Sequence, residues 1–384
     1  MALKHSDTMR IWYVYGGPFP NRAAHAVNIA KMCDAFSANG HEVTLVVEGD
    51  PANREAIAQA TQLELGLSAK PNIWCCKIRR IFGRYHLMAA KIAWAARRDR
   101  ADIVYARNPV FLVYAVLVGL RVIFEVHSPI DSSASQMKLL FALLRRSAKL
   151  ARVVVISEAL RNETAMRSPN ISDRITVAHD GADAEQQGCV RVPIVPARPG
   201  RTQIGYAGHL YPGKGMDLIA ELASRCPWAD FLVVGGTDDA VATWRARLAT
   251  LPNILLVGFV DHARVPNYLA GCQAVLAPYQ SRVQVSDGRT DVARWMSPLK
   301  IFEYMAQGKA ILCSDLPVLR EILTDNETAL LCPPDDVSAW TVALAKIASD
   351  PTLAKSLGQR ARAALEANYT WKARAERVLS GLPA

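Results

Sequence analysis

Twice along the chain a short β-rich run halts at glycines and gives way to a helical pattern. "RIWYVY" (10–15) ends in Gly16-Gly17, an apolar helical period runs over 24–38 and stops at Gly40, and "EVTLVV" (42–47) follows. Strand, Gly-rich turn, helix and strand together make a βαβ unit, whose two strands are parallel. "ADIVYAR" (101–107), "RVIFEVH" (121–127) and "ARVVVIS" (151–157) continue the theme. Short apolar runs between helical patterns imply a parallel sheet covered on both faces.

The pattern restarts after residue 200. "QIGYAG" (203–208) reads as a strand, "HLYPGKG" as a loop and "MDLIAELASR" (216–225) as a helix. The strands "FLVVGG" (231–236), "NILLVG" (253–258), "AVLAP" (274–278) and "AILCS" (310–314) follow, with helices between them. Between the halves, "EQQGCVRVPIVPARPGRT" (185–202) holds three prolines and little periodicity, as a linker does. The fold class expected is α/β, two doubly wound, Rossmann-like parallel-sheet domains facing a central cleft. Ligands of such sheets sit beyond the carboxyl ends of the strands, which singles out the loops 16–25, 127–135, 208–215 and 279–300.

At 384 residues, 51% hydrophobic and 21% charged, the chain is globular and long enough for two cores. The most apolar run, "VFLVYAVLVGL" (110–120), is 11 residues long, short of the roughly 20 a spanning helix needs. The start, "MALKHSDTMRIWYVY", lacks the plan of a signal peptide. The 8 cysteines form no C-x-x-C pair and read as reduced core thiols, so a cytoplasmic location is expected. Charge is uneven: residues 1–199 hold 26 Lys+Arg against 17 Asp+Glu, and residues 200–384 hold 19 against 18. The basic half can meet nucleic acid, an anionic membrane surface or an acidic substrate.

The stretch "DVARWMSPLKIFEYMAQGKAILCSD" (291–315) carries the most chemistry. Ser297 reads as an N-cap and Pro298 as the first helical residue. Lys300 then falls in the first turn, against the helix dipole, unless an anion sits there and reverses the sign. The alternative is an ordinary Lys300–Glu303 ion pair on a solvated stripe. The loop "GHLYPGKGMDL" (208–218), between strand and helix, offers Gly208 and two further glycines that let a backbone approach a phosphate, with Lys214 near its end. It also reads as a plain tight turn with a solvated lysine.

Together, "G-x-L-x-x-x-KG" and, about 85 residues later, "SPLKIFEYMAQGKAILCSD" resemble the retaining GT-B glycosyltransferases of family 4. "GHEVTLV" (40–46), "AHDGAD" (178–183), "GFV" (258–260) and the terminal "YTWKARAERVL" (369–379) fit the same family. The resemblance covers nearly the whole chain and is strongest in the second half. It implies an N-terminal acceptor domain (1–190), a C-terminal nucleotide-sugar donor domain (200–365) and a terminal helix (366–384) packing back on the first. It implies that Lys214 and Lys300 hold the donor diphosphate at the helix start Ser297, Pro298 and Leu299, with N–H groups from Ser297, Leu299 and Lys300, and that Glu303 binds the ribose. It places His127 near the transferred sugar, Gly16 and Gly17 over the donor, and Gly208, His209 and Phe259 along the donor loop.

Two positions depart from the pattern. His209 stands where many members have arginine, and Trp295 where many have a second glutamate. The charged loop of Arg282, Asp287, Arg289, Asp291 and Arg294 can supply the missing contacts or can simply be solvated. No D-x-D pair is present, and the resemblance implies metal-independent transfer with no cofactor beyond the sugar nucleotide. His127 by itself reads equally as a core histidine.

The basic half then becomes an acceptor side. "KIRRIFGRYHLMAAKIAWAARR" (77–98) brings Arg79, Arg80, Arg84, Trp94, Arg97 and Arg98 with no acid, and "QMKLLFALLRRSAKLAR" (136–152) brings Arg145 and Arg146 with none. As amphipathic helices both suit an anionic leaflet, and equally an ordinary solvated face. The expected partners are a nucleotide-sugar donor, a lipid-linked or glycan acceptor and a membrane surface, with no nucleic acid, since charge comes without a reading module. Two alternatives stand beside this: a catalytically degenerate scaffold subunit, and a nucleotide-sugar epimerase of the same architecture.

Overall fold

The computed structural model describes residues 8–21, 23–77, 83–130, 135–184, 191–284, 288 and 290–383. Two compact units result: Met1–His179 with Trp371–Ala384, and Asp180–Thr370. The chain thus crosses at His179/Asp180, ahead of the proline-rich stretch, and returns at Thr370/Trp371.

The first unit is built on a parallel sheet of β1 (Arg10–Pro18), β2 (Glu42–Glu48), β3 (Ile73–Cys76), β4 (Ile103–Ala106), β5 (Arg121–Val126), β6 (Leu150–Val155) and β7 (Ile175–Val177). Its order is β3-β2-β1-β4-β5-β6-β7, so the winding reverses between β1 and β4. The centre of the sheet is apolar on both faces, as strands sandwiched between helices must be: β4 is buried at every residue. The terminal helix Trp371–Leu379 belongs to this unit and packs on the helix Ala24–Ala38. Asn39 Nδ2 donates to Lys372 O at 3.2 Å, and the Arg152 guanidinium donates to Ser380 O at 2.7 Å.

The second unit repeats the plan with β8 (Thr202–Ala207), β9 (Ala229–Val234), β10 (Ile254–Gly258), β11 (Ala274–Ala277), β12 (Ala310–Ser314) and β13 (Leu330–Cys332), all parallel, in the order β10-β9-β8-β11-β12-β13. The reversal falls between β8 and β11. The helix Met216–Arg225 shows why such elements form. Met216, Ile219, Leu222 and Ala223 recur at three- and four-residue spacing and are buried against the sheet, while Asp217, Glu221 and Arg225 line the other side. Truncating the fully buried Leu222 to Ala removes about 2–5 kcal/mol.

The reading of 136–152 as one helix is corrected. The helix is Ser135–Leu144, Arg145 and Arg146 lie in the turn after it, and Leu150 already pairs in β6, where Val153, Val154 and Val155 favour a strand. In 77–98 the helix is Arg84–Arg98, and Arg79 and Arg80 lie outside the described residues.

Candidate active site

In the second unit the loop after β8 and the segment after β11 flank the reversal of strand order, where doubly wound sheets open a crevice. Backbone hydrogen bonds tie the two together, Gln280 N to Gly213 O at 3.0 Å and Gln284 N to Pro212 O at 3.1 Å. Contact this close demands glycine. Gly213 has φ +81°, and a Cβ there would lie 1.9 Å from Arg282 O.

On this frame stand two lysines. The helix Leu299–Ala306 carries Lys300 in its first turn, and the side chain runs inward, 9% exposed. Its ammonium sits 3.7 Å from the centre of the Tyr206 ring and 5.1 Å from that of Tyr279. Among the described residues Nζ has no hydrogen-bond partner. Lys214 approaches the same aromatic, its Nζ 5.2 Å from the Tyr279 ring centre. A Cβ on Gly208 would come 3.0 Å from Lys300 Nζ, so the loop backbone lies directly on the ammonium.

This is an expensive arrangement for an empty site. Cation–π contact returns about 0.5–2 kcal/mol, less than the desolvation of an ammonium removes. Burial lowers the Lys214 ammonium to about 8. Burial, and then Lys214 itself, holds Lys300 well below its usual range, against a partly offsetting pull from Glu303. Burial, Lys214 and Lys300 push the His209 imidazole down as well. His209 stacks on Tyr211, ring centres 4.8 Å apart. Three nitrogen bases thus crowd one spot at a helix start, a combination that gains from an anion and loses without one.

The alternative of a solvated Lys300–Glu303 ion pair is not found among the described residues. Glu303 is instead hydrogen-bonded to His262 Nε2 at 2.7 Å, an arrangement sequence spacing gave no means of reading. Ser297 is not the N-cap either. Its Oγ accepts from Asp180 N at 2.8 Å, and Pro298, extended at φ −77° and ψ 119°, takes the cap position, so Leu299 is the first helical residue. The Ser297 hydroxyl was spent on the 178–183 segment, which had not been weighed as its partner. Phe259 follows β10 and is 37% exposed. In the charged loop Asp291 Oδ1 accepts from Val283 N at 2.9 Å and Ala293 N at 3.0 Å, which gives it a structural task, and the Arg294 guanidinium lies 4.7 Å from the centre of Trp295. Asp287 and Arg289 lie outside the described residues.

In the first unit Gly16 and Gly17 fall within β1, where its register with β2 shifts between Val14 and Pro18. His127 follows β5, its side chain 30% exposed, with Nε2 hydrogen-bonded to the buried Glu125. On the basic side, Arg84 pairs with Glu48 at 2.9 Å, Arg97 and Arg98 close their helix, and Trp94 is 61% exposed under Arg98. Leu139 and Leu143, four residues apart, are also exposed. An open cleft of about 160 Å3 has Phe141, Thr164, Lys138, Arg145, Glu163 and Arg167 in its walls.

Two Rossmann-like parallel sheets, with a cationic crevice at the strand reversal of the second, define the GT-B class of glycosyltransferases. Residues 26–186 match the family model "Glycosyltransferase Family 4" and residues 201–350 match "Glycosyl transferases group 1". The chain belongs to these glycosyltransferase families. Over 179 residues it is 27% identical to the phosphatidyl-myo-inositol mannosyltransferase of Mycolicibacterium smegmatis, covering 45% of this chain and 42% of that one. Over 240 residues it is 26% identical to a glycogen synthase of Mycobacterium tuberculosis, covering 60% and 52%. The chain therefore spans about half the length of the curated relatives it matches. Among solved structures, Anabaena HepE in complex with UDP superposes with a TM-score of 0.72 at 15% identity, over 97% of this chain and 99% of that one.

Proposed function

We infer that the chain is a retaining, metal-independent glycosyltransferase that moves a sugar from a nucleoside-diphosphate sugar to a lipid-linked or glycan acceptor. The observation that carries this is Lys300, an ammonium buried without a hydrogen-bond partner in the first turn of a helix, beside Lys214. A diphosphate is the ligand that suits such a place, because it needs two or more fixed cations and N–H donors at once. Departure of the nucleoside diphosphate develops charge on the leaving oxygen. Lys214, Lys300 and the helix start would stabilise that charge in a dry crevice, where each contact counts for more than in water. Gly208, with its backbone against Lys300, lets the phosphates come close, and Glu303 is the residue for the ribose.

The acceptor and a peripheral membrane position belong to the first unit. Exposed Trp94, Leu139 and Leu143 among Arg84, Arg97, Arg98, Lys138 and Arg146 support an anionic lipid surface as the partner. Among the described residues no helix is long and apolar enough to cross a membrane.

The test is thermal unfolding with UDP, GDP, ADP and CMP on wild type and on Lys214→Ala. One diphosphate at 100 times its dissociation constant should add about 2.7 kcal/mol to wild type and little to the mutant. Stabilisation by none of them would remove the donor site and move the scaffold reading ahead.

A further inference from the structure

The most heavily invested polar group of the first unit is a carboxylate that its sequence neighbours alone do not explain. Glu125, 1% exposed, lies in the middle of the sheet on β5. One oxygen, Oε1, accepts from Arg107 at 2.8 Å, from Arg374 at 3.3 Å and from His127 Nε2 at 2.5 Å. The other accepts from the Tyr105 hydroxyl and, at 3.3 Å, from Tyr13. Burial alone would push this carboxyl up, but Arg107, Arg374 and His127 overturn that and hold it well below the usual range. It is therefore an ionised, acceptor-only group.

Arg374 arrives from the other end of the chain. It sits on the terminal helix, 2% exposed, and its Nε also donates to His179 O at 2.9 Å. His127 comes two residues after Glu125, just past the end of β5, and its Nε2 reaches back to the carboxylate. Glu125 is sealed, while His127 is 30% exposed and reaches the surface.

We propose that Glu125, clamped by Arg107 and by Arg374 of the terminal helix, is a positioning residue that fixes the tautomer and orientation of His127. Because the ionised carboxylate can only accept, the shared proton resides on Nε2, and in the neutral ring Nδ1 is the lone-pair nitrogen. A proton taken up by this ring goes to Nδ1, and the developing imidazolium is compensated by Glu125. The terminal helix is in this way part of the site machinery as well as of the fold. Among the described residues, the charged and titratable groups around the imidazole include Glu125 on β5, Arg107 after β4, His25 from the helix Ala24–Ala38, and, through Glu125, Arg374. The arginines and His25 oppose protonation of the ring, and the carboxylate favours it. This inference rests on His127 facing the reacting sugar in the proposed transferase.

The experiment is a nitrogen-15 NMR titration of histidine-labelled full-length protein, with His127 assigned by His127→Asn. In wild type the expected signature at neutral pH is a ring protonated on Nε2 and bare on Nδ1. In Glu125→Gln the ring should lose its proton at a pH lower by about one unit or more, because an opposite charge in contact is gone. Arg374→Lys, which keeps the charge without the fork, should retain the wild-type tautomer. In a transfer assay Glu125→Gln should cut kcat and shift its pH profile while leaving KM for the donor within about twofold. A wild-type ring protonated on Nδ1, or an unchanged titration in folded Glu125→Gln, overturns the proposal. If the wild-type tautomer is as expected but no nucleotide stabilises the protein, it is the transferase reading that fails.

Discussion

Two clusters of buried charge, one in each unit, are built on opposite principles. In the first unit the Glu125 carboxylate is surrounded by five donors, two of them arginines, so its own charge is answered from within the chain. In the second unit Lys300 has aromatic faces, another lysine and a glycine backbone around it, and no hydrogen-bond partner among the described residues. The carboxylate of the first finds its partners within the chain. The ammonium of the second, on the proposed reading, finds its partner in a bound diphosphate. Mutations that remove charge should therefore act with opposite sign on stability in the two places.

The largest effect belongs to the answered cluster. Arg374→Ala strips a buried carboxylate of one cation and the His179 carbonyl of its donor, and should cost about 3–5 kcal/mol in denaturant unfolding. A cost below about 1 kcal/mol would show that the terminal helix is not held by this network.

Next comes the frame of the unanswered cluster. Gly213→Ala forces a side chain into Arg282 O from a left-handed backbone, at a cost of at least about 1–2 kcal/mol. It should also lose most of the nucleotide-induced shift, since Lys214 follows directly. Unchanged stability and unchanged nucleotide response would separate the loop from the site.

Protonation sharpens the comparison further. Lys214 binds its proton more weakly folded, at about 8, than unfolded, at 10.5, so the unfolded state holds more protons in that window. The sign is thus that free-protein stability gains a contribution as pH rises from about 8 towards 10.5, where an ordinary exposed lysine gives none. A diphosphate reverses the shift, so nucleotide binding near pH 9 should take up protons and at pH 6 almost none. Calorimetry in buffers of different ionisation enthalpy reads this directly, and proton release instead of uptake would contradict it.

The smallest effect on the fold is expected at the basic surface. Trp94→Ala with Leu139→Ser should change stability by less than about 0.5 kcal/mol per site, yet reduce flotation with anionic liposomes several-fold. Equal partition into neutral and anionic vesicles by wild type would remove the membrane partner.

Most of the architecture was legible in the sequence, because buried parallel strands read as short apolar runs and their helices carry a clear period. The helix Met216–Arg225 and the strand Ala310–Ser314 begin and end where the pattern puts them. β7 and β13, three residues each, are too short for any period to register, and β3 is a third strand that the pattern does not mark. At the site, the two lysine-bearing stretches stood out as local motifs. Their shared aromatic did not, since Tyr279 reads simply as a loop residue until folding brings both ammonium groups to its ring, and Tyr206 as a strand residue until Lys300 meets it. Arg374 was equally hidden, because nothing local links it to a carboxylate 249 positions away. Glu125 did leave a signal: a charged residue inside an apolar strand run has to be paired where it is buried.

The measurement that reaches the central claim most directly is the stability of Lys300→Met, free and with the diphosphate that stabilises wild type. Methionine fills the same channel without a charge. The account predicts a free protein more stable than wild type by about 1 kcal/mol, as an unanswered ammonium is removed, and a nucleotide shift that all but disappears. A variant less stable than wild type that still responds to nucleotide would mean that Lys300 is a structural cation, and that no phosphate belongs at this helix.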